Sequence, residues 1–219
     1  MIRLLPERTP GTPFRILCLG AHSDDIEIGC GGTVLTLAER YGNDLDLRWV
    51  VMSGEDARKE EAEESAKRFL AKVRRTDVRI FGYRDGFFPQ SWGEIKEVFE
   101  TLKKGSSPDI VFTHYREDRH QDHRIMSDLT WNTFRNHCIL EYEIPKFDGD
   151  LGSPNAFVPL SDEVASAKVR HLLEAFPSQR DKHWFTGDTF TAMLRLRGLE
   201  SGGTAKHAEA FYARKVQLL

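Results

Sequence analysis

Cysteine is scarce in this chain. The three present, Cys18, Cys30 and Cys138, stand far apart with no Cys-x-x-Cys pair. Neither a disulfide framework nor a thiolate zinc knuckle fits that spacing, and the three are expected to be buried free thiols. Long apolar runs are missing as well: none approaches the roughly 18 residues needed to cross a membrane. The opening MIRLLPERTPGTP has charges and prolines where a secretory leader would be apolar, so a cytoplasmic protein is expected. There is no basic surplus, since 31 Lys and Arg stand against 34 Asp and Glu for a net charge of -3. That balance argues against a nucleic-acid partner. Internal repeats and low-complexity tracts are absent.

What remains is an ordinary globular composition of 219 residues, 40% apolar and 30% charged, which at about 150 residues per domain suits a single domain. Short apolar runs recur at 14–20 (FRILCLG), 47–52 (LRWVVM), 78–81 (VRIF) and 109–113 (DIVFT), each too short for a buried helix. Between and after them lie segments of helical period. Ala62, Ala66, Phe69, Leu70 and Val73 form one stripe, with Ser53 and Asp56 in the pattern of a capping box. Ile95, Val98, Phe99 and Leu102 form a second stripe within 91–104, behind Ser91 and Glu94. Ala165, Val169, Leu172, Leu173 and Phe176 form a third, started by Ser161 and stopped by Pro177. Strands alternating with helices imply a doubly wound, Rossmann-like α/β fold, with a mainly parallel sheet and helices on both faces. Residues 145–160, with three prolines and two glycines and no clean period, read as a long ordered loop. Trp49, Trp92 and Trp131 read as core; Trp184, in the irregular DKHWFTGD stretch, reads as core or as a platform for a sugar face.

In such sheets ligands bind beyond the carboxyl ends of the strands, and the chemistry concentrates there. After the first strand comes AHSDDIEIGCGGT, and after the fourth HYREDRHQDHR. The first segment is glycine-rich but lacks GxGxxG, and its three carboxylates would repel a pyrophosphate. Carboxylates and imidazoles together favour a cation, and His with Asp suits Zn²⁺ or another divalent first-row metal. In the second segment His120 and His123 share a face if a helix opens there, and Asp122 is available to orient an imidazole. Glu27, Glu117 and Asp118 read as groups that support ligands or cap loops, and His114 as packing or support rather than ligand.

These two motifs resemble those of the PIG-L/LmbE-like zinc-dependent de-N-acetylases, AHPDDxxxGxGGT and HPDHR, with Ser23 and Gln121 in place of the family's prolines. Weaker similarity runs through MSGEDARKEEAEESAKRF, GYRDG and the late SQ and AEAF stretches. The resemblance implies Zn²⁺, or Fe²⁺ or another divalent ion, held by His22, Asp25 and His123. It implies Asp24 as general base and His120 as its protonated, oxyanion-stabilising partner, with Asp122 keeping that ring charged. Arg58 and Asp85 match positions that contact substrate; read alone, they are a helix-surface charge and a turn aspartate before Gly86. The expected substrate is a small N-acetylglucosamine-type amino sugar or its conjugate, with residues 140–219 completing the pocket and a homo-oligomer as a reasonable assembly. Two rivals stand beside this: a metal-dependent hydrolase of another amide, glycosidic or ester bond, and a catalytically silent sugar-binding relative. The paired Asp24 and His120 argue against the silent form, because binding alone needs neither a base nor an acid.

Overall fold

Phe14–His22 (β1), Leu45–Ser53 (β2), Arg75–Ile80 (β3), Ile110–His114 (β4) and Cys138–Tyr142 (β5) form a parallel array. In the computed structural model, which describes residues 11–105 and 107–217, the sheet runs β3-β2-β1-β4-β5-β7-β6. The first ten residues of the stretch read for a leader lie outside the described residues. The last two strands, Ala156–Leu160 (β6) and His207–Ala213 (β7), turn the far edge antiparallel: β7 pairs against both β5 and β6. The loop expected over 145–160 is therefore loop only in its first part. Pro159 is tolerated in β6 because that strand lies at the sheet edge.

The helices are Asp25–Tyr41 (α1), Ala57–Phe69 (α2), Trp92–Lys104 (α3), Gln121–Thr133 (α4), Asp162–Ala175 (α5) and Gly187–Glu200 (α6). Successive strand residues send their side chains to opposite faces, so a buried parallel strand must be apolar on both. Ile16, Cys18, Trp49, Val51 and Phe112 pack with α1, α2 and α5, while Leu17, Leu19, Val50, Met52 and Val111 pack with α3 and α4. Each large side chain so buried contributes about 1.5–3 kcal/mol. Among the described residues no helix is long and apolar enough to cross a membrane.

Several local expectations change. Ser53 belongs to β2, and α2 begins behind Asp56, whose φ of +49° places it in the left-handed region without a side-chain cap. Ser91 precedes α3 but makes no cap bond, whereas the Ser161 hydroxyl does accept from the Val164 amide at 3.2 Å. Trp49 is fully buried, but Trp92 is 43% exposed at the start of α3, on the solvent side of the stripe that Ile95 and Phe99 bury. Trp131 is half-buried and donates Nε1–H to Glu141 at 2.7 Å. Cys18 and Cys30 are buried free thiols, and Cys138 is half-buried.

Candidate active site

β1 feeds α1 and then β2 on one side of the sheet, while its other neighbour β4 feeds α4 and then β5 on the opposite side. The strand order reverses between β1 and β4, where an open α/β sheet leaves a crevice. His22 closes β1 and His114 closes β4; Asp24, Asp25, His120, Asp122 and His123 sit at the N-termini of α1 and α4 above them. The turn into α1 is tied by Asp25 Oδ2, which accepts from the His22 amide at 2.6 Å. The glycines of GCGGT lie inside α1 and serve close packing: a Cβ on Gly29 would stand 2.2 Å from the Tyr142 ring, and one on Gly31 2.6 Å from Phe69.

Three donor atoms converge. His22 Nδ1 is 3.1 Å from His123 Nε2 and 3.3 Å from Asp25 Oδ2, and His123 Nε2 is 3.6 Å from Asp25 Oδ2. Bonds of about 2.0–2.1 Å in a tetrahedral zinc site put ligand atoms roughly 3.3–3.4 Å apart, so this triangle fits such an ion. The far side of each imidazole supports the same reading. His123 Nδ1 lies 2.9 Å from Asp118 Oδ2, which places its proton there and turns the Nε2 lone pair inward. His22 Nε2 lies 3.0 Å from Asp85 Oδ1 and 3.3 Å from Asp122 Oδ2, which frees its Nδ1 in the same way. His114, fully buried, stands 3.2 Å from Asp25 Oδ2 and stacks on His123 with ring centres 3.9 Å apart, backing the site.

Electrostatics make the crevice a cation trap. Burial alone would depress the His22 imidazole, but Asp25, Asp122 and Asp85 raise it well above its ordinary value. Burial would raise Asp25, yet His123, His114 and His22 hold it well below the carboxylate range. Burial, with His114 beside it, pushes His123 down to about 3, the neutral form a metal needs. Asp24 is raised by burial and by Asp25 against the opposing pull of Arg58. Glu27 is fully buried, and burial pushes its carboxyl up to about 8, so it is neutral; Glu117 is exposed.

His120 differs from the sequence expectation. Burial and the neighbouring His22 lower its ring, and the opposing charge of Asp122 does not offset them. The Asp122 carboxylate is committed elsewhere, accepting from the Gly86 amide at 2.7 Å and the Phe88 amide at 3.1 Å as well as facing His22. It is the Asp122 amide that meets His120, donating to Nδ1 at 3.3 Å. That leaves Nε2–H as a donor on a neutral ring.

Arg58 Nη2 donates to Asp24 Oδ1 at 2.9 Å. Asp85 is 73% exposed in its side chain and is presented by the turn at Gly86, whose φ of +80° suits glycine. A cavity of about 430 Å³ opens here; besides His22, Asp24, Asp25, Arg58, Asp85, His120 and His123, it is lined by Glu55, Lys146, Gln179, Lys182 and Trp184. Sequence reasoning passed over Lys146, Gln179 and Lys182. Trp184 reaches both the core and this cavity. Only the late SQ stretch had pointed at the wall that Gln179 forms.

The PIG-L family model, described as GlcNAc-PI de-N-acetylase, matches residues 17–134. The Escherichia coli K12 protein YaiS, described as an uncharacterized deacetylase, is 30% identical over 167 residues, 72% of this chain and 88% of YaiS. Two solved structures share the fold. The N,N'-diacetylchitobiose deacetylase of Pyrococcus horikoshii is 20% identical, with a TM-score of 0.66 over 90% of this chain and 82% of its own. GalB of Pseudomonas putida KT2440, a 4-carboxy-2-hydroxymuconate hydratase, is 16% identical, with a TM-score of 0.68 over 94% and 98%. Two reactions on one architecture mean that the fold alone does not select the chemistry. The family match, which contains both metal-type motifs, and the identity with YaiS together show that the chain belongs to the PIG-L (GlcNAc-PI de-N-acetylase) family.

Proposed function

We propose that the protein is a metal-dependent hydrolase that removes the N-acetyl group from an N-acetylglucosamine-type amino sugar or its conjugate, with Zn²⁺ as the metal and Fe²⁺ as the other ion its donors suit. The observation that carries this reading is the triangle of His22 Nδ1, Asp25 Oδ2 and His123 Nε2 with the buried carboxylate of Asp24 beside it. An ion held by those three donors supplies Lewis acidity toward the acetyl carbonyl and toward water.

The chain's own residues do the rest. Asp24, with Oδ1 engaged by Arg58, takes the proton of the attacking water on its other oxygen. It hands that proton to the departing sugar nitrogen as the C–N bond breaks, so acetate and a free amine result. Its raised pKa suits that task, since a carboxylate whose pKa lies nearer the working pH is the stronger base and, once protonated, keeps the proton until the amine departs. His120 donates Nε2–H to the carbonyl oxygen as negative charge develops there, and a neutral ring suffices for this. Asp122 supports both by fixing the His120 tautomer through its amide and the Asp85 turn through its carboxylate. Asp85 and Arg58, on the cavity wall, serve the sugar hydroxyls. A cytoplasmic location suits the three free cysteines, which stay reduced there.

The test is acetate release from N-acetylglucosamine and a small set of its glycosides, with the new primary amine counted in parallel. Equal appearance of the two supports the reading. Release of the aglycone without acetate moves the reaction to the glycosidic bond, and no product from any compound overturns it.

A further inference from the structure

Glu61 lies on the face of α2 that meets the end of α5, is only 9% exposed, and takes no part in the chemistry above. Both of its oxygens are engaged. Oε1 accepts from the Ser178 amide at 2.8 Å; Oε2 accepts from the Ser178 hydroxyl at 2.6 Å and from Arg58 Nη1 at 3.3 Å. Arg58 spends its other terminal nitrogen on Asp24 Oδ1, and its guanidinium carbon stands 5.3 Å from the centre of the Phe176 ring. Phe176 and Ser178 belong to the segment that leaves α5, and the residues just beyond, Gln179, Lys182 and Trp184, line the cavity. One buried carboxylate thus joins the arginine that grips the base to the segment whose next residues line the site.

An exposed Arg–Glu pair at i,i+3 on a helix is worth little. This pair differs because Glu61 is desolvated, accepts three hydrogen bonds, and meets a donor from a different element. A guanidinium is a rigid planar fork on a flexible stem. A carboxylate behind the fork removes the stem's freedom and fixes the angle at which Nη2 reaches Asp24. We propose that Glu61 is a positioning residue: it sets the Arg58 guanidinium against Asp24 and pins Ser178, so that the base and the wall bearing Gln179, Lys182 and Trp184 keep one spacing. The kinetic part rests on the de-N-acetylase reading; the anchoring of Ser178 does not.

The experiment combines a double-mutant cycle with hydrogen exchange on the zinc-loaded full chain. Supporting groups of this kind change activity by about 10- to 100-fold, so Glu61→Ala is expected to lower kcat for acetate release by at least about tenfold. The same change added to Arg58→Ala is expected to cost less than about twofold more, because the two act through one contact. Exchange at the Ser178 amide is expected to accelerate at least about tenfold in Glu61→Ala, with zinc content and exchange in the middle of α2 unaltered. Glu61→Gln keeps an acceptor for that amide but loses the charge facing Arg58, so it is expected to restore the protection and keep the kinetic loss. That combination separates positioning from general destabilisation. Fully additive kinetic losses overturn the proposal, and so does an unchanged Ser178 exchange rate. If the wild type releases no acetate from any compound, the functional reading fails, and the exchange arm still decides whether Glu61 anchors Ser178.

Discussion

Replacing Asp118 with asparagine removes one charge and almost no volume, at a residue 2% exposed and two contacts away from any bound ion. The carboxylate has three tasks. Oδ2 faces His123 Nδ1 at 2.9 Å and Lys146 Nζ at 2.8 Å, and Oδ1 accepts from the His120 amide at 2.8 Å. An asparagine oxygen can keep one or two of these bonds, but its NH₂ can only donate. If the NH₂ turns to His123, the ring proton is driven from Nδ1 to Nε2, where it occupies the lone pair that should meet the metal. If the oxygen turns to His123, Lys146 loses the charge of Asp118 while keeping that of Asp150. Loss of such an orienting carboxylate typically costs 10- to 100-fold in metal affinity, or about 1.4–2.7 kcal/mol. Competition with a chromophoric zinc chelator measures this directly, and hydrogen exchange checks that the fold persists. An unchanged zinc affinity in a folded Asp118→Asn protein would refute the assignment of His123 Nε2 as a ligand held in its tautomer by Asp118.

Asp24→Asn preserves shape but abolishes basicity, so zinc content should persist while kcat falls by about 10²- to 10⁴-fold; loss of zinc as well would make Asp24 a ligand instead. His120→Ala should lower kcat by about 10²- to 10³-fold, as removal of an oxyanion donor does, and turnover at the wild-type rate would remove it from the mechanism. The raised His22 imidazole holds its proton to higher pH than the ordinary value of about 6.5, and zinc takes only the neutral ring. Apparent zinc affinity should therefore fall, by up to about tenfold per unit, as pH drops below that raised value, and level off above it; chelator competition across pH would show a flat profile if His22 were not a ligand. In the metal-free protein the same group adds stability below about pH 6.5 that fades as pH rises through the raised value. Gly29→Ala drives a Cβ into Tyr142, whose hydroxyl is held by the Leu19 carbonyl at 2.6 Å; a loss of about 1–3 kcal/mol is expected in urea unfolding, and an unaltered midpoint would contradict the packing role of these glycines.

Much of the parallel half was legible because β1, β2 and β4 are buried on both faces and must be apolar throughout. The antiparallel edge was not: AFVPL contains a proline and finds its partner β7 some fifty residues later, a pairing no local pattern reports. Helix α1 was also hidden, since GCGG is poor helix sequence; contacts of its glycines with Tyr142 and Phe69 override propensity. At the site, residue types and spacing brought out the imidazoles and carboxylates of both motifs. The lowering of the His120 ring could not be read, because it comes from burial in the folded crevice and from His22, ninety-eight positions away in sequence and 4.9 Å away between ring centres. Nothing local marks Glu61, because Ser178, which covers it, lies 117 positions further along the chain.

The measurement that bears most directly on the central claim is metal content of the purified protein with the ion located by anomalous scattering. One ion per chain, bound by His22 Nδ1, Asp25 Oδ2 and His123 Nε2 and lost in His123→Ala, is the result expected. Other donor sets lie nearby, among them His22, Asp85 and Asp122. An ion on that set, or a protein that binds none when zinc is supplied, would contradict the account.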